Sequence, residues 1–104
     1  MYSPIEGTVY IDDFIWLPDI IDKLERKHRV LPEEVEEVFF NRPRYRFIEK
    51  GQVKGEDLYI ALGQTDNGRY LSVFFIFKPG NLALIISARN MDAVTALPAK
   101  AGSF

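Results

Sequence analysis

Three apolar segments separated by two tight-turn signals fill the second half of this chain, and together they permit little except an antiparallel meander. Asp57 to Gly63 alternates Leu58, Ile60 and Leu62 against Tyr59 and Ala61, as a strand does. Asp66-Asn67-Gly68 is a strong hairpin signal. Arg69 to Lys78 follows, apolar on both faces through Val73, Phe74, Phe75, Ile76 and Phe77, which predicts the central strand. Pro79-Gly80-Asn81 then turns the chain into Leu82 to Arg89. That last run is apolar until it stops on Arg89, whose guanidinium must reach water or an anion.

A sheet this apolar needs a cover. Two segments upstream supply it. Pro18 fits the first position of a helix running to about Lys27, with Ile20, Ile21 and Leu24 on one face. Leu31 to Phe40 is the clearer helix: Pro32 opens it, Glu33 and Glu34 fill its first turn, and Val35, Val38 and Phe39 recur at helical spacing. Asn41-Arg42-Pro43 ends it. Arg44 to Glu49 alternates basic with aromatic or apolar residues, as an edge strand does. The expected class is α+β, two N-terminal helices packed on a small antiparallel sheet of three to four strands. Residues 1–13 read as an N-terminal tail or edge strand, 14–97 as one domain and 98–104 as a C-terminal tail.

Length and charge narrow the function. A chain of 104 residues builds one core, and 47% hydrophobic content excludes disorder as its main state. It has no cysteine and one histidine, so disulfides, iron–sulfur clusters, thiolate zinc and imidazole clusters are excluded; no cofactor and no metal are expected. No stretch reaches the roughly 18 apolar residues of a spanning helix, and the start lacks a secretory pattern, so a cytoplasmic protein without membrane contact is expected. The net charge of -2 argues against a nucleic-acid binder, yet it hides a gradient. Residues 1–22 carry five acids and no base, whereas residues 23–54 carry nine bases against six acids, which allows a local basic face.

Several strings carry a resemblance: Trp16, Lys27-His28-x-Val30, Glu33-Glu34, Val38-Phe39, Gly63-x-Thr65-x-x-Gly68-Arg69-x-Leu71-x-Val73 and Ile85-Ile86-Ser87-Ala88-Arg89. Over residues 14 to about 91 the chain resembles the BrnT family of bacterial type II toxins. The resemblance implies a RelE-like fold and a metal-independent ribonuclease that cleaves RNA. It also implies a BrnA-like antitoxin partner, in a 2:2 toxin–antitoxin complex or beside a toxin homodimer. The departures lose polar groups. Leu17, Ile20 and Leu24 stand where the family has Asp, Lys and Asn, Arg29 stands for a glycine, and Leu58 and Leu84 stand for basic residues. The Glu-Arg pair and Tyr that close the family's chains have no counterpart after Met91.

RNA cleavage without metal needs a base, an acid and cations around a pentavalent phosphorane. Arg69 and Arg89 are the leading phosphate contacts, because a planar guanidinium matches phosphate oxygens. Lys27 and His28 are the candidates for proton transfer or further phosphate contact. Arg42, Arg44, Tyr45 and Arg46, with Tyr70 beside Arg69, suit single-stranded RNA, cations on phosphates and rings for stacking.

Each has a plainer reading. Arg69 can be a solvated residue after a turn, Arg89 a partner of Asp92 or of a helix carboxylate, and His28 a cap on a helix end. The Arg42 to Phe47 run can be an edge strand whose charges deter aggregation, and Glu33, Glu34, Glu36 and Glu37 a solvated helix face. At the level of the whole protein the alternatives are a catalytically degenerate, protein-binding relative and a homo-oligomeric structural protein.

Overall fold

The computed structural model describes residues 9–91, in which β1 (Asp13–Ile15) precedes α1 (Pro18–Lys23) and a π-helical turn (Leu24–His28). Next come α2 (Pro32–Phe40), β2 (Arg44–Glu49), β3 (Asp57–Gln64), β4 (Tyr70–Lys78) and β5 (Leu82–Asn90). Residues 92–97 and the expected tail at 98–104 lie outside the described residues, as does Asp92, the proposed partner of Arg89.

The class is α+β, as expected, but the sheet is larger and of mixed direction. Its order is β1-β5-β4-β3-β2, with β2 to β5 antiparallel and β1 parallel to β5. β1 pairs only Asp13 to Ile15 with Leu82 to Leu84, too few residues for any periodic signal. A parallel partner also requires a long crossover rather than a turn, so no turn residues announce it. β4 is central, flanked by β3 and β5, and its apolar residues on both faces follow from that place.

Alternation along the strands divides the sheet into two faces. Tyr59, Ala61, Leu71, Val73, Phe75, Ala83, Ile85 and Ala88 point to one face, where Leu24, Val30, Val35, Val38 and Phe39 close over them. Phe39 meets Phe75 edge to face at 5.2 Å, and Phe75 is fully buried. Truncating such a ring costs about 3–5 kcal/mol. The opposite face carries Arg44, Arg46, Leu58, Ile60, Leu62, Tyr70, Ser72, Phe74, Ile76, Leu84 and Arg89; among the described residues no helix covers it.

Two arginines adopt left-handed backbone: Arg29 (φ 55) after the π-turn and Arg42 (φ 56) after α2. Each costs about 1–2 kcal/mol for a residue with a Cβ, so its surroundings must hold it. Beside Arg42, Pro43 lies against β3 at Gly63, where a Cβ would sit 3.0 Å from the Pro43 Cβ.

Candidate functional site

The predicted site residues fall into two groups on opposite sides of the sheet. Arg69 belongs to the helix side. Its Nε donates to Asn90 Oδ1 at 2.8 Å, Nη1 to the Arg29 carbonyl at 2.8 Å and to Glu34 at 3.0 Å, and Nη2 to the His28 carbonyl at 3.0 Å. The π-turn and the left-handed Arg29 present those two carbonyls, and Arg69 satisfies them. Glu34 is held in turn, since its Oε1 also accepts the Leu31 N–H at the start of α2. Arg69 is therefore a clamp that fastens the Lys27 to Arg29 turn to α2 and to the end of β5. Arg69 is thus not a solvated residue after a turn: each of its guanidinium nitrogens has a hydrogen-bond partner.

Lys27 is exposed and His28 half-buried on that same turn. The Glu33 to Glu37 face is also more engaged than expected. Glu36 accepts the Trp16 Nε1–H at 2.9 Å and Glu37 accepts the Asp66 N–H at 3.0 Å, tying α2 to β1 and to the β3–β4 hairpin.

Tyr45 likewise leaves the expected RNA-facing set, because strand alternation turns it inward. It packs on Phe39 at 6.1 Å and Phe75 at 6.0 Å, and burial pushes its hydroxyl pKa up to about 12. The Tyr59 hydroxyl is raised too, by burial first and by the neighbouring Asp57 carboxylate second.

The face that no helix covers among the described residues gathers the others. Register places Arg44, Leu62, Ser72 and Arg89 in one row across β2, β3, β4 and β5. Arg46, Ile60, Phe74 and Ser87 make the next row, and Gln64 and Tyr70 stand at the hairpin end. Three strand spacings separate the Arg44 and Arg89 backbones, about 14 Å, a gap that two long side chains can close upon one anion. Arg89 is exposed, and its guanidinium lies 5.5 Å from the Phe74 ring centroid, which orients it over this face. Arg44 and Tyr70 are exposed and Arg46 half-buried. Arg42, in the loop before β2, joins Arg44 and Tyr70 along a cleft that ends at the hairpin.

Farther along, the same face is apolar: Leu58, Ile76 and Leu84 form a single cross-strand row. Among the described residues, no cluster of His, Asp and Glu groups is arranged to hold a metal ion, and no helix is long and apolar enough to cross a membrane.

Sequence reasoning missed Glu34 as the partner of Arg69, and it missed Asn41 and Gln64 beside the cleft. A signal for the last two existed: Gly63, the residue without a side chain that brings the Asn41 loop against β3.

A protein-family model described as "Ribonuclease toxin, BrnT, of type II toxin-antitoxin system" matches residues 16–94. No curated protein matches the chain.

Proposed function

The chain belongs to the BrnT family of ribonuclease toxins of type II toxin–antitoxin systems, and from that premise we propose that it cleaves RNA on the helix-free face of its sheet. The observation that carries this reading is the shared row of Arg44 and Arg89. A phosphate held between them sits over Leu62 and Ser72, with the exposed Tyr70 ring on the neighbouring row for a base to stack on.

The 2′-hydroxyl attacks the adjacent phosphorus, the bond to the 5′-oxygen breaks, and the products are a 2′,3′-cyclic phosphate and a 5′-hydroxyl. Solvent water takes the proton from the 2′-oxygen and returns one to the 5′-oxygen as that bond breaks. The two guanidinium groups neutralise the phosphorane's added charge, and losing one such donor typically costs 10²–10³ in rate. Arg42 and Arg46 follow the strand on the β2 side. Arg69 acts as a positioning residue, holding the turn whose Lys27 and His28 take the flanking backbone where RNA passes the rim.

Several further features belong to this proposal: metal independence, a RelE-like fold over 14–97, a BrnA-like antitoxin that covers the face, and a cytoplasmic location. Expression of the gene alone should arrest bacterial growth. Purified protein should cleave labelled RNA in the presence of a chelator, and Arg89→Ala and Arg44→Ala should each slow cleavage by at least tenfold. Unimpaired growth together with intact RNA would reject the proposal.

The Leu58, Ile76 and Leu84 row supports a second reading, a relative that binds its antitoxin and no longer cleaves. Apolar residues there favour a protein over a phosphate backbone. That reading requires tight antitoxin binding with RNA affinity that is weak even at low salt.

A further inference from the structure

At the hairpin end of the helix-free face, a cleft of about 650 Å³ opens between the loop after α2 and the β3–β4 turn, lined among others by Asn41, Arg42, Arg44, Gln64, Asp66 and Tyr70. Its volume lies in the range of sites that hold a single small ligand. Its amide and carboxylate side chains present acceptors, beside the donor groups of Arg42, Arg44, Thr65 and Tyr70. Asn41 Nδ2 donates both hydrogens, to the Gln64 carbonyl at 2.9 Å and to Asp66 Oδ1 at 3.0 Å. Two acceptors flank that nitrogen, so the orientation of the amide is fixed. Asn41 Oδ1 is left as an acceptor with no partner among the described residues. Gln64 Nε2 donates to the Gly68 carbonyl at 3.3 Å, which leaves Gln64 Oε1 in the same condition, and Asp66 Oδ2 joins them.

Around these acceptors stand two cations and a ring. Arg42 and Arg44 have no ion-pair partner among the described residues, and Tyr70 is 53% exposed. Arg42 adopts a left-handed backbone conformation, and the following Pro43 lies against Gly63. Such strain on a concave surface is a mark of a binding site.

We propose that the cleft is a base-reading subsite, taking one nucleotide whose base carries an exocyclic amino group, adenine, cytosine or guanine, and disfavouring uracil. The unpartnered amide and carboxylate acceptors suit the amino hydrogens of those three bases. Uracil offers a single N–H between two carbonyls, which would face Asn41 Oδ1 and Gln64 Oε1 acceptor to acceptor. Sites built on hydrogen bonds reject analogues that lack the matching group far better than apolar pockets do. Tyr70 stacks the base, and Arg42 and Arg44 take its phosphate. The placement deepens the ribonuclease reading, on which it rests for its biological role: Arg44 also belongs to the Arg44–Arg89 row, so the base read lies next to the phosphate cut.

The test does not depend on cleavage. The full chain, isotopically labelled, is titrated with AMP, CMP, GMP and UMP and followed through backbone amide resonances. Gly63, Thr65 and Asp66 amides should shift, with the three amino-bearing nucleotides binding at least tenfold more tightly than UMP. Tyr70→Ala and Gln64→Ala, each shown folded by its own spectrum, should weaken AMP binding tenfold or more and narrow the gap to UMP. Equal affinity for UMP, shifts centred elsewhere, or the same response to inorganic phosphate alone would overturn the subsite. Sequencing of RNA ends separates the two claims. Cleavage with no base preference beside the cut sinks the subsite and spares the ribonuclease, whereas selective nucleotide binding without any cleavage does the reverse.

Discussion

Arg69 and Arg89 extend from opposite faces of one sheet: the first binds Glu34 at 3.0 Å under the helices, and the second lies over Phe74 on the face that no described helix covers. Their substitutions should therefore separate. Arg69 and Glu34 are each only about a quarter exposed, at 27% and 24%, so Arg69→Ala strands a carboxylate and frees two backbone carbonyls. Hydrogen bonds to charged groups are worth about 1.5–3 kcal/mol, and a loss of roughly 2–3 kcal/mol is expected. Arg89→Ala, at an exposed position, should stay within about 0.5 kcal/mol of the parent. Urea midpoints decide the matter, and equal stability of the two variants would remove the clamp.

Salt dependence should single out the helix-free face. Each phosphate contact on a single strand contributes about 0.7 to the slope of log affinity against log salt. Arg44→Ala and Arg89→Ala should each lower that slope for single-stranded RNA by up to about 0.7. If both hold one phosphate, the double variant should lose less than the sum of the single losses, because residues that share a partner couple. Strict additivity with unchanged slopes would place the RNA elsewhere.

What could be read from the chain beforehand was whatever has a short period. The helices at Pro18 and Pro32 and the three meander strands rest on spacings of two to four residues and on Gly and Pro turns, and all of them are present. An N-terminal edge strand was one of two readings of residues 1–13, but its place at Asp13–Ile15 and its parallel pairing were not legible, since its three residues pair with a strand almost seventy positions away. The site was legible by residue type and not by direction. Tyr45 and Arg46 are neighbours in sequence, yet alternation sends one to the core and the other to the opposite face. The apparent kinship of Arg69 and Arg89, both basic and both near strand ends, likewise conceals a difference of face that a one-residue change of register would reverse.

Tyr45 should make the fold sensitive to alkali. Burial raises its hydroxyl from about 10 to about 12, so between those values the unfolded chain has lost the proton and the folded chain retains it. The unfolded state then binds fewer protons, and stability falls as pH rises through that window while remaining intact below it. Tyr45→Phe should flatten the fall without removing it, because Tyr59 is raised in the same direction. Denaturation midpoints measured across the window would show this. An unchanged slope in the variant would mean that Tyr45 meets solvent after all.

Gly63→Ala sets two effects of opposite sign against each other. Strand glycines are destabilising by about 0.5–1 kcal/mol relative to alanine, so propensity alone predicts a gain. Contact predicts a loss, because the new methyl would lie 3.0 Å from Pro43 Cβ and 3.2 Å from Val38 Cγ1. Neither neighbour is the free end of a flexible chain: one is a proline ring and the other a fully buried branched side chain of α2. Overpacking of this kind costs about 1–3 kcal/mol, so contact should win and the variant should be less stable. The displaced loop would carry Asn41 and Arg42 with it, and nucleotide affinity at the cleft should drop by more than the small fraction of unfolded protein explains. A stabilised Gly63→Ala protein with unchanged AMP binding would show that Pro43 yields at little cost, and that the close approach of this loop to β3 does not build the cleft.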